Sequence, residues 1–327
     1  MTEATPSVAD TPLPASGYAA LEDERLVRVT GPGTRDFLHG QFSQSLDEVT
    51  DSHSPRAAAC TPKGRAYCLT RLVRDGEDVL LSLPTEIADD IQQQLGKYLM
   101  LFRGTSMSAE PDARMIGLFG LELARQLSPE ADTALTSPGA TVAVGRHRLI
   151  RSEDTAEGLA RFEWWQLGPL SDQQSAALTG AVATTPANWR ASEIAAGVAR
   201  LSATSQAAYV PQMLNWQHLG GIHFKKGCYT GQEVVARMHY LGQLKKSLFR
   251  LRAGHCPEPA QPGTAILAGD RSVGEVVNAI TNTEAVTEVL AVIRHDADTE
   301  ALTLGEGGPA LTPLPLPYTV TERSPDT

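Results

Sequence analysis

The sequence predicts an α+β fold followed by a separate antiparallel β domain, and two patterns support this prediction. Between residues 56 and 83, short β-like runs are separated by Gly, Pro and Asp turns. An amphipathic helix follows, and its apolar face consists of Ile87, Ile91, Leu95 and Leu99. After Lys246 the chain returns to short β-like runs, which favour an antiparallel barrel or sandwich of about 70 residues.

We expect four segments along the chain. Residues 1–17, rich in Pro and Ala, predict a flexible tail. Residues 18–246 predict a two-lobed α+β region, in which a ferredoxin-like lobe spans about 53–110. Residues 247–318 form the predicted C-terminal β-barrel, and residues 319–327 a second polar tail.

The individual elements follow from periodicity and turn residues. Strands are expected at 26–30, 56–60, 66–74, 78–83, 104–108, 115–119, 141–144, 147–151 and 161–167. Helices are expected to begin near Thr34, Pro84, Leu121, Ser171 and Trp189. Because side chains alternate along a strand, one of Trp164 and Trp165 should face the core and the other should face outward.

Composition narrows the functional classes. The chain has 327 residues, of which 42% are apolar and 20% charged, and its net charge of −10 argues against a general nucleic-acid or membrane-surface binder. It shows neither a secretory signal nor an apolar run long enough to cross a bilayer. We therefore expect a cytoplasmic protein with reduced thiols and no membrane partner.

The charge is unevenly distributed. Residues 225–252, the basic strip, carry seven basic side chains and a single acid, so this window is +6. Such a strip on an acidic protein favours an anionic ligand nearby, such as a carboxylate tail, a phosphate or an RNA backbone. A solvated helix face and edge strand is the alternative interpretation.

The cysteines indicate no metal centre held by this chain. None of Cys60, Cys68, Cys228 and Cys256 belongs to a C-x-x-C pair. Cys60 and Cys68 lie in apolar runs, which predicts that they belong to the core.

The stretch Lys225–Glu233, which we call the signature turn, carries the strongest chemical signal. Thr230 and Glu233 have capping-box spacing, so a helix should begin there and place Cys228 just before its N-terminus. The helix dipole and Lys226 would both favour the thiolate of Cys228. Such a thiolate can serve as nucleophile, redox thiol or soft ligand. The alternatives are that Cys228 is a small buried residue and Lys226 an exposed one on a turn.

The run from Phe224 to Glu233 resembles the signature of bacterial YgfZ-type folate-binding proteins, a branch of the glycine-cleavage T-protein superfamily. The resemblance covers roughly residues 21–318 and includes the motifs at 62–65 and 211–215. It implies a three-lobed ring with a hole for tetrahydrofolate. It also implies a role in maintaining iron-sulfur enzymes, some of them tRNA-modifying. We expect an accessory factor and not a classical turnover enzyme; if it is an enzyme, a folate-dependent one-carbon transferase is expected. A ring-shaped monomer needs no partner, so a monomer is expected. Cys228 is the residue it implies to be most needed.

Three positions depart from the superfamily pattern. T-proteins carry a carboxylate pair where residues 64–69 have no acid, which removes a general acid/base contact to folate. Gln212 stands where T-proteins have a pterin-binding Glu, and an amide can still pair with a pterin edge. Glu24 stands where the YgfZ branch can carry an aromatic residue, so a folate contact from Glu24 is open.

Further folate contacts are expected from three side chains. Trp189 can stack on the pterin or aminobenzoyl ring, or it is a core tryptophan. Asn215 offers a polar contact from an irregular loop. Arg237 either holds the glutamate tail of folate or pairs with Glu233 one helical turn away.

Two other functions stay open from the sequence. One is a folate-dependent aminomethyltransferase or demethylase, against which the absence of acids at 64–69 counts. The other is a tRNA-binding protein that uses Lys245 and Lys246 of the basic strip, against which the overall negative charge counts.

Overall fold

The computed structural model describes residues 8–242, 244–256 and 259–320. In chain order the strands are β1 (Val8–Ala9), β2 (Gly17–Ala20), β3 (Glu24–Thr30), β4 (Arg56–Cys60), β5 (Ala66–Asp75), β6 (Asp78–Pro84), β7 (Ser106–Ala109), β8 (Arg114–Phe119), β9 (Thr141–Val144), β10 (His147–Arg151), β11 (Arg161–Gln166), β12 (Ala183–Thr184), β13 (Lys246–His255), β14 (Ala265–Ala268), β15 (Arg271–Asn282), β16 (Val286–Arg294), β17 (Leu302–Leu304) and β18 (Leu311–Leu314).

The helices are α1 (Thr34–Gln41), α2 (Ala88–Leu99), α3 (Leu121–Leu127), α4 (Ala131–Ala134), α5 (Asp172–Gly180), α6 (Pro186–Ala195) and α7 (Gln232–Tyr240). Short 3-10 turns occur at Thr85–Ile87, Pro211–Leu214 and Thr299–Ala301. No helix in the described ranges has the length and apolarity needed to cross a bilayer. The predicted α+β class is confirmed, since these helices pack on three β-sheets.

The first lobe is a five-stranded sheet with strand order β4-β5-β6-β3-β7. Helix α2 covers it as predicted, because Ile87, Ile91 and Leu95 recur at helical spacing and all are buried. The sheet includes β3, so this lobe draws in residues that precede the expected start at residue 53.

The second lobe is a six-stranded sheet with strand order β12-β2-β8-β11-β10-β9. Both Trp164 and Trp165 are fully buried, so the expectation that one of them faces outward is wrong. The physical reason is that both faces of β11 are covered. Trp164 packs with α3 and α5, and Trp165 packs towards the first lobe with Leu80 and Trp189.

The C-terminal region forms a curled half-barrel, with strand order β17-β14-β15-β16-β13-β18. Its core contains the inward-facing side chains Leu251, Val276, Val289 and Ile293. A bridge between Thr303 in β17 and Ala310, the residue before β18, brings the two edges of the sheet together. This is the antiparallel domain that the alternation of β runs and turns predicts.

The N-terminal segment is built into the fold further upstream than expected. Val8 and Ala9 pair in parallel with Thr281 and Asn282 of β15, and the backbone N–H of Asp10 donates to the side chain of Asn188 (2.6 Å). The ordered chain thus includes residues 8–17, which the sequence assigned to a tail. The first seven residues and residues 321–327 of the second predicted tail lie outside the described ranges.

Two buried ion pairs join the first lobe to the second. Arg56 on β4 donates to Glu153 at 2.7 and 2.5 Å, and Arg71 on β5 donates to Glu163 on β11 at 2.9 and 3.0 Å. Burial alone would raise the pKa of Glu153, but the charge and hydrogen bonds of Arg56 outweigh it and lower that pKa to about 2. Because an unpaired buried charge is costly, these ion pairs fix the position of the two lobes relative to each other.

The Arg56–Glu153 pair should make stability depend on pH. The folded pKa of Glu153 lies below its unfolded value, so its contribution is present above pH 4.5 and is lost as the pH falls towards 2. Glu153→Gln should lower the free energy of unfolding by about 3 kcal/mol at pH 7 and by much less near pH 2. Urea titrations across this pH range would measure the difference.

Glu77→Gln is the matched control, because the Glu77 side chain is 99% exposed in its ion pair with Arg74. A gap between wild type and Glu153→Gln that stayed constant from pH 7 to pH 2 would contradict the assignment.

Candidate functional site

The signature turn is fitted against the Pro62–Arg65 turn by two glycines. Gly64 (φ 70°) and Gly231 (φ 85°) both adopt left-handed backbone conformations. A β-carbon on Gly231 would lie 2.5 Å from the carbonyl oxygen of Thr61 and 3.1 Å from the α-carbon of Gly64. The two motifs that are far apart in sequence therefore meet in a contact that only glycine allows.

The helix after the turn does not begin with the expected capping box. Helix α7 starts at Gln232, its N-cap is Gly231, and Glu233 is exposed. The Thr230 hydroxyl instead donates to the Gln41 side chain (3.3 Å), and the Thr230 amide donates to the carbonyl of Gly40 (3.1 Å). The capping-box prediction is wrong because Thr230 is used to dock the turn on α1.

Lys226 is buried and holds the end of α1. Its ammonium group donates to the carbonyl oxygens of His39 and of Phe42, the latter at 2.7 Å, and lies 4.8 Å from the ring centre of Tyr229. The carbonyls at the end of a helix have no partner within it and attract cations. The alternative of an exposed lysine on a turn is therefore wrong.

Two opposing effects act on the pKa of Lys226. Burial lowers the pKa of Lys226 to about 8, while an ionised Cys228 acts in the opposite direction. This is an electrostatic link between the lysine and the thiol. Whether Lys226 in turn favours the thiolate stays a prediction.

The Cys228 thiol is exposed at the surface of the turn. The alternative that Cys228 is a small buried residue is therefore wrong. Cys60 and Cys68 are buried as expected, and burial raises the pKa of the Cys60 thiol to about 12. Among the residues that the structure describes, no group of three or more His, Cys, Asp and Glu side chains is arranged to hold a metal.

Gln212 contacts α7 through the nitrogen of its side-chain amide. It is 3% exposed, and its Nε2 donates to the carbonyl of Val235 (2.6 Å). In the described part of the chain its Oε1 has no hydrogen-bond partner. A buried acceptor without a partner is costly, so an N–H donor that reached this oxygen would be bound favourably.

Arg237 is exposed on α7, two residues beyond Val235. The alternative ion pair with Glu233 does not form among residues 8–242, 244–256 and 259–320. The guanidinium is thus accessible to an anionic group, which is what the predicted role at a folate tail requires.

Asn215 links the loop to the C-terminal half-barrel. It has a left-handed backbone (φ 57°), its Nδ2 donates to the carbonyl of Leu248 (2.9 Å), and its Oδ1 accepts from the Leu248 amide (3.4 Å). Both ends of the amide are engaged with β13. A ligand contact from Asn215 would have to compete with these bonds, and that contact stays a prediction.

Trp189 and Glu24 lie in a different cluster from the signature turn. Trp189 is 1% exposed, the guanidinium of Arg161 lies 4.1 Å from its ring centre, and the backbone of Gly117 closely approaches the ring. Glu24 accepts hydrogen bonds from Arg190 (2.9 Å) and Arg200 (3.1 Å). A stacked ligand ring would have to displace part of this packing, and the folate roles of both residues stay predictions.

A cavity of about 470 Å³ lies beside this second cluster, where the two lobes and the half-barrel meet. Its lining includes Asp23 and Arg190 from the lobes and Asn278 from β15. The volume suits a small molecule. Cys228, Lys226 and Gln212 are not among the described residues that line it.

In the fold, only some of the basic side chains of the basic strip are exposed to solvent. Arg250 is buried in ion pairs with Glu157 (2.6 Å) and Glu288 (2.8 Å), and the charge of Lys226 is directed to backbone carbonyls. The exposed basic side chains of the strip are Lys225, Arg237, Lys245 and Arg252. Cys228 and Lys226 thus lie in the turn before α7, Gln212 is bonded to α7 through the carbonyl of Val235, and Arg237 is exposed on α7. Glu24 and Trp189 belong to a different cluster.

The chain is similar to known proteins in sequence and in fold. No family model matches the chain. It is 30% identical over 334 residues to the tRNA-modifying protein YgfZ of Yersinia enterocolitica, covering 98% of this chain and 97% of that protein. It is 31% identical over 311 residues to the protein of the same name from Cronobacter sakazakii, covering 93% of each. The chain belongs to the YgfZ family.

The fold agrees with this membership of the YgfZ family. Aminomethyltransferase T of the glycine cleavage system from Bartonella henselae superposes with a TM-score of 0.71, covering 93% of this chain and 86% of that one, at 15% identity. The T-protein-like architecture that the sequence resemblance implied is thereby confirmed. At 15% identity, the superposition is evidence for the fold only.

Removing the Lys226 ammonium should loosen the turn. Lys226→Met keeps the length of the aliphatic stem but leaves the carbonyls of His39 and Phe42 without their donor. We expect a loss of about 2 kcal/mol in the free energy of unfolding, measured by urea titration at pH 7.

Lys225→Met is the matched control, since Lys225 is the exposed neighbour in the same turn. Equal stability of the two variants would show that the Lys226 hydrogen bonds contribute nothing to the fold.

Proposed function

We propose that this YgfZ-family protein is a tetrahydrofolate-binding accessory factor that supports iron-sulfur enzymes, including tRNA-modifying ones, through Cys228. The main observation in support is that Cys228 in the signature turn is exposed, while Lys226 of the same turn is hydrogen-bonded to the carbonyl of Phe42. Relatives named as tRNA-modifying proteins support the link to tRNA modification. A cytoplasmic, monomeric protein is part of the same proposal.

The residues around α7 fit a folate on two counts. The partnerless Oε1 of Gln212 offers an acceptor to the N–H groups of a pterin. The exposed guanidinium of Arg237 offers a fork for the carboxylates of the glutamate tail. When bound, tetrahydrofolate supplies a reduced pterin that can carry one-carbon units.

The chain itself would supply the exposed sulfur atom of Cys228. Cys228 acts as the nucleophile or soft ligand towards the client. Lys226 keeps the turn in place, because its two carbonyl bonds resist any movement of the turn away from α1. A preorganised turn lets a single thiol meet its partner without an ordering cost at each encounter.

The transferase alternative has little support from this site. Gly64 is packed against Val234, and the Arg65 side chain donates to the carbonyl of Ala208, so neither supplies an acid or base there. With no carboxylate at 64–69, proton transfer to or from folate lacks a group in this segment. The tRNA-binding alternative is weakened by the inward use of Lys226 and Arg250.

Folate binding should depend on the free acceptor of Gln212. Gln212→Leu removes Oε1, and we expect the dissociation constant for tetrahydrofolate to rise about tenfold, the effect of one buried hydrogen bond. Isothermal titration calorimetry under anaerobic conditions would measure it.

Gln217→Leu is the control, because Gln217 lies in the same loop and its Oε1 is likewise buried without a partner in the described chain. If both variants bound folate as wild type does, the pterin would have to be sought elsewhere, the 470 Å³ cavity first.

The thiol role makes a separate prediction in cells. In a strain that lacks its own factor, Cys228→Ser should fail to restore the activity of a tRNA-thiolating iron-sulfur enzyme, because a hydroxyl at this position is not ionised at neutral pH. Cys256→Ser should restore it, since the partly exposed Cys256 lies on the half-barrel. Full restoration by Cys228→Ser, at equal protein levels, would falsify the thiol role.

A further inference from the structure

The exposed face of α7 ends in two large apolar side chains. Glu233, Arg237, Tyr240 and Leu241 are exposed, and their spacing places them on one face of the helix. Leu241 continues this face, because its amide donates to the carbonyl of Arg237 (2.9 Å). A helix face that points to solvent is normally polar, yet Tyr240 is 53% and Leu241 85% exposed. The last turn of α7 thus offers apolar surface to a partner.

Aromatic contacts hold Tyr240 in place. The rings of Phe224 and His239 stack with their centres 3.6 Å apart. The Tyr240 ring meets both edge-on, with its centre 4.7 Å from that of His239 and 6.4 Å from that of Phe224. These contacts restrict the rotation of Tyr240, so a partner that covers this ring loses less conformational freedom on binding. A half-exposed and preorganised tyrosine is typical of the residues that contribute most to protein interfaces.

The same contacts bring the end of α7 close to the signature turn. Phe224 directly precedes Lys225, the first residue of that turn, so Tyr240 lies beside the start of the turn. Cys228 follows Phe224 by four residues, which span at most about 14 Å of chain. A protein interface of ordinary size extends over roughly 30 Å. A partner that covers Tyr240 is therefore within reach of the exposed thiol of Cys228.

The charges around the two apolar side chains favour an acidic partner. The described residues between 225 and 245 expose three cations, Lys225, Arg237 and Lys245, and one acid, Glu233. Within the described part of the chain, none of these three cations forms an ion pair. This surface is therefore positive on a chain whose net charge is −10. An acidic protein surface would be attracted here and repelled by the rest of the molecule.

We propose that the last turn of α7, with Tyr240 and Leu241, is the docking surface for the iron-sulfur client, and that the client's matching surface is acidic around an apolar pocket. The inference rests on the proposed function and names where the client binds relative to Cys228. The apolar pair supplies the buried contact, and Lys225 and Lys245 steer the acidic surface towards it.

A protein fits this surface better than an RNA does. A single-stranded RNA could stack a base on Tyr240 but would gain nothing from the aliphatic side chain of Leu241. Three exposed cations also neutralise few phosphates, which gives weak RNA binding at physiological salt.

The first test is made in the strain that lacks its own factor, with the double variant Tyr240→Ser/Leu241→Ser. We expect it to restore about a tenth or less of the activity of a tRNA-thiolating iron-sulfur enzyme that the wild type restores at equal protein levels. Met100→Ser/Leu101→Ser is the matched control and should restore this activity fully, because both side chains form a second exposed apolar pair, 77% and 75% exposed, after α2.

A second variant removes the question of folding. Leu241→Asp leaves the aromatic contacts of Tyr240 untouched, and it should fail in cells as the double variant does. Circular dichroism and urea titration should show wild-type stability for this variant, since Leu241 is largely exposed.

Binding of the same purified tRNA-thiolating enzyme, measured by biolayer interferometry, separates docking from thiol chemistry. We expect Leu241→Asp to raise the dissociation constant about tenfold and Cys228→Ser to leave it unchanged. Lys245→Glu should weaken binding at low salt and much less at high salt, because salt screens exposed charges.

Full restoration by Leu241→Asp and by the double variant, in cells where Cys228→Ser fails, would overturn the docking surface and leave the thiol role standing. Loss of activity with the Met100/Leu101 control as well would overturn it too. A gel shift in which an unmodified tRNA transcript binds the wild type and not Leu241→Asp would assign the surface to RNA and overturn the protein partner. Failure of the wild type itself to restore the enzyme would overturn the proposed function and this inference together.

Discussion

The ammonium group of Lys226, shared between two carbonyl oxygens at the end of α1, is the contact on which the candidate site depends. It joins residues 187 positions apart in the chain and satisfies acceptors that the helix leaves unpaired. The glycine contact between Gly64 and Gly231 holds the other end of the same turn. Cys228 lies between these two attachments, and its thiol is exposed at the surface.

A second constraint keeps the lobes together. The carboxylates Glu153 and Glu163 each meet an arginine from the first lobe, in a setting where an unpaired charge would be far more costly. Asn215 performs the corresponding task towards the half-barrel through both ends of its amide. Asn215, which the sequence offers as a ligand contact, is therefore hydrogen-bonded to another part of the chain.

The distribution of the expected site residues has a physical explanation. Trp189 and Glu24 are attractive as ligand contacts because a large ring and a carboxylate are chemically versatile. In the fold, the ring is covered by Arg161 and the carboxylate is neutralised by Arg190 and Arg200. Gln212 and Arg237 differ from them because each keeps a polar group that no described residue uses.

Local patterns by themselves determined the α+β class, the covering helix α2, the C-terminal β domain and the signature turn with its cysteine. Periodicity and turn chemistry act over a few residues, so they can be read without knowing the partners. The tertiary structure decided that Thr230 docks on Gln41 instead of capping α7, that Trp164 and Trp165 are both buried, and that Phe224 stacks on His239. Each of these depends on which distant side chain fills the available space or accepts the available proton, and no pattern of neighbouring residues contains that information.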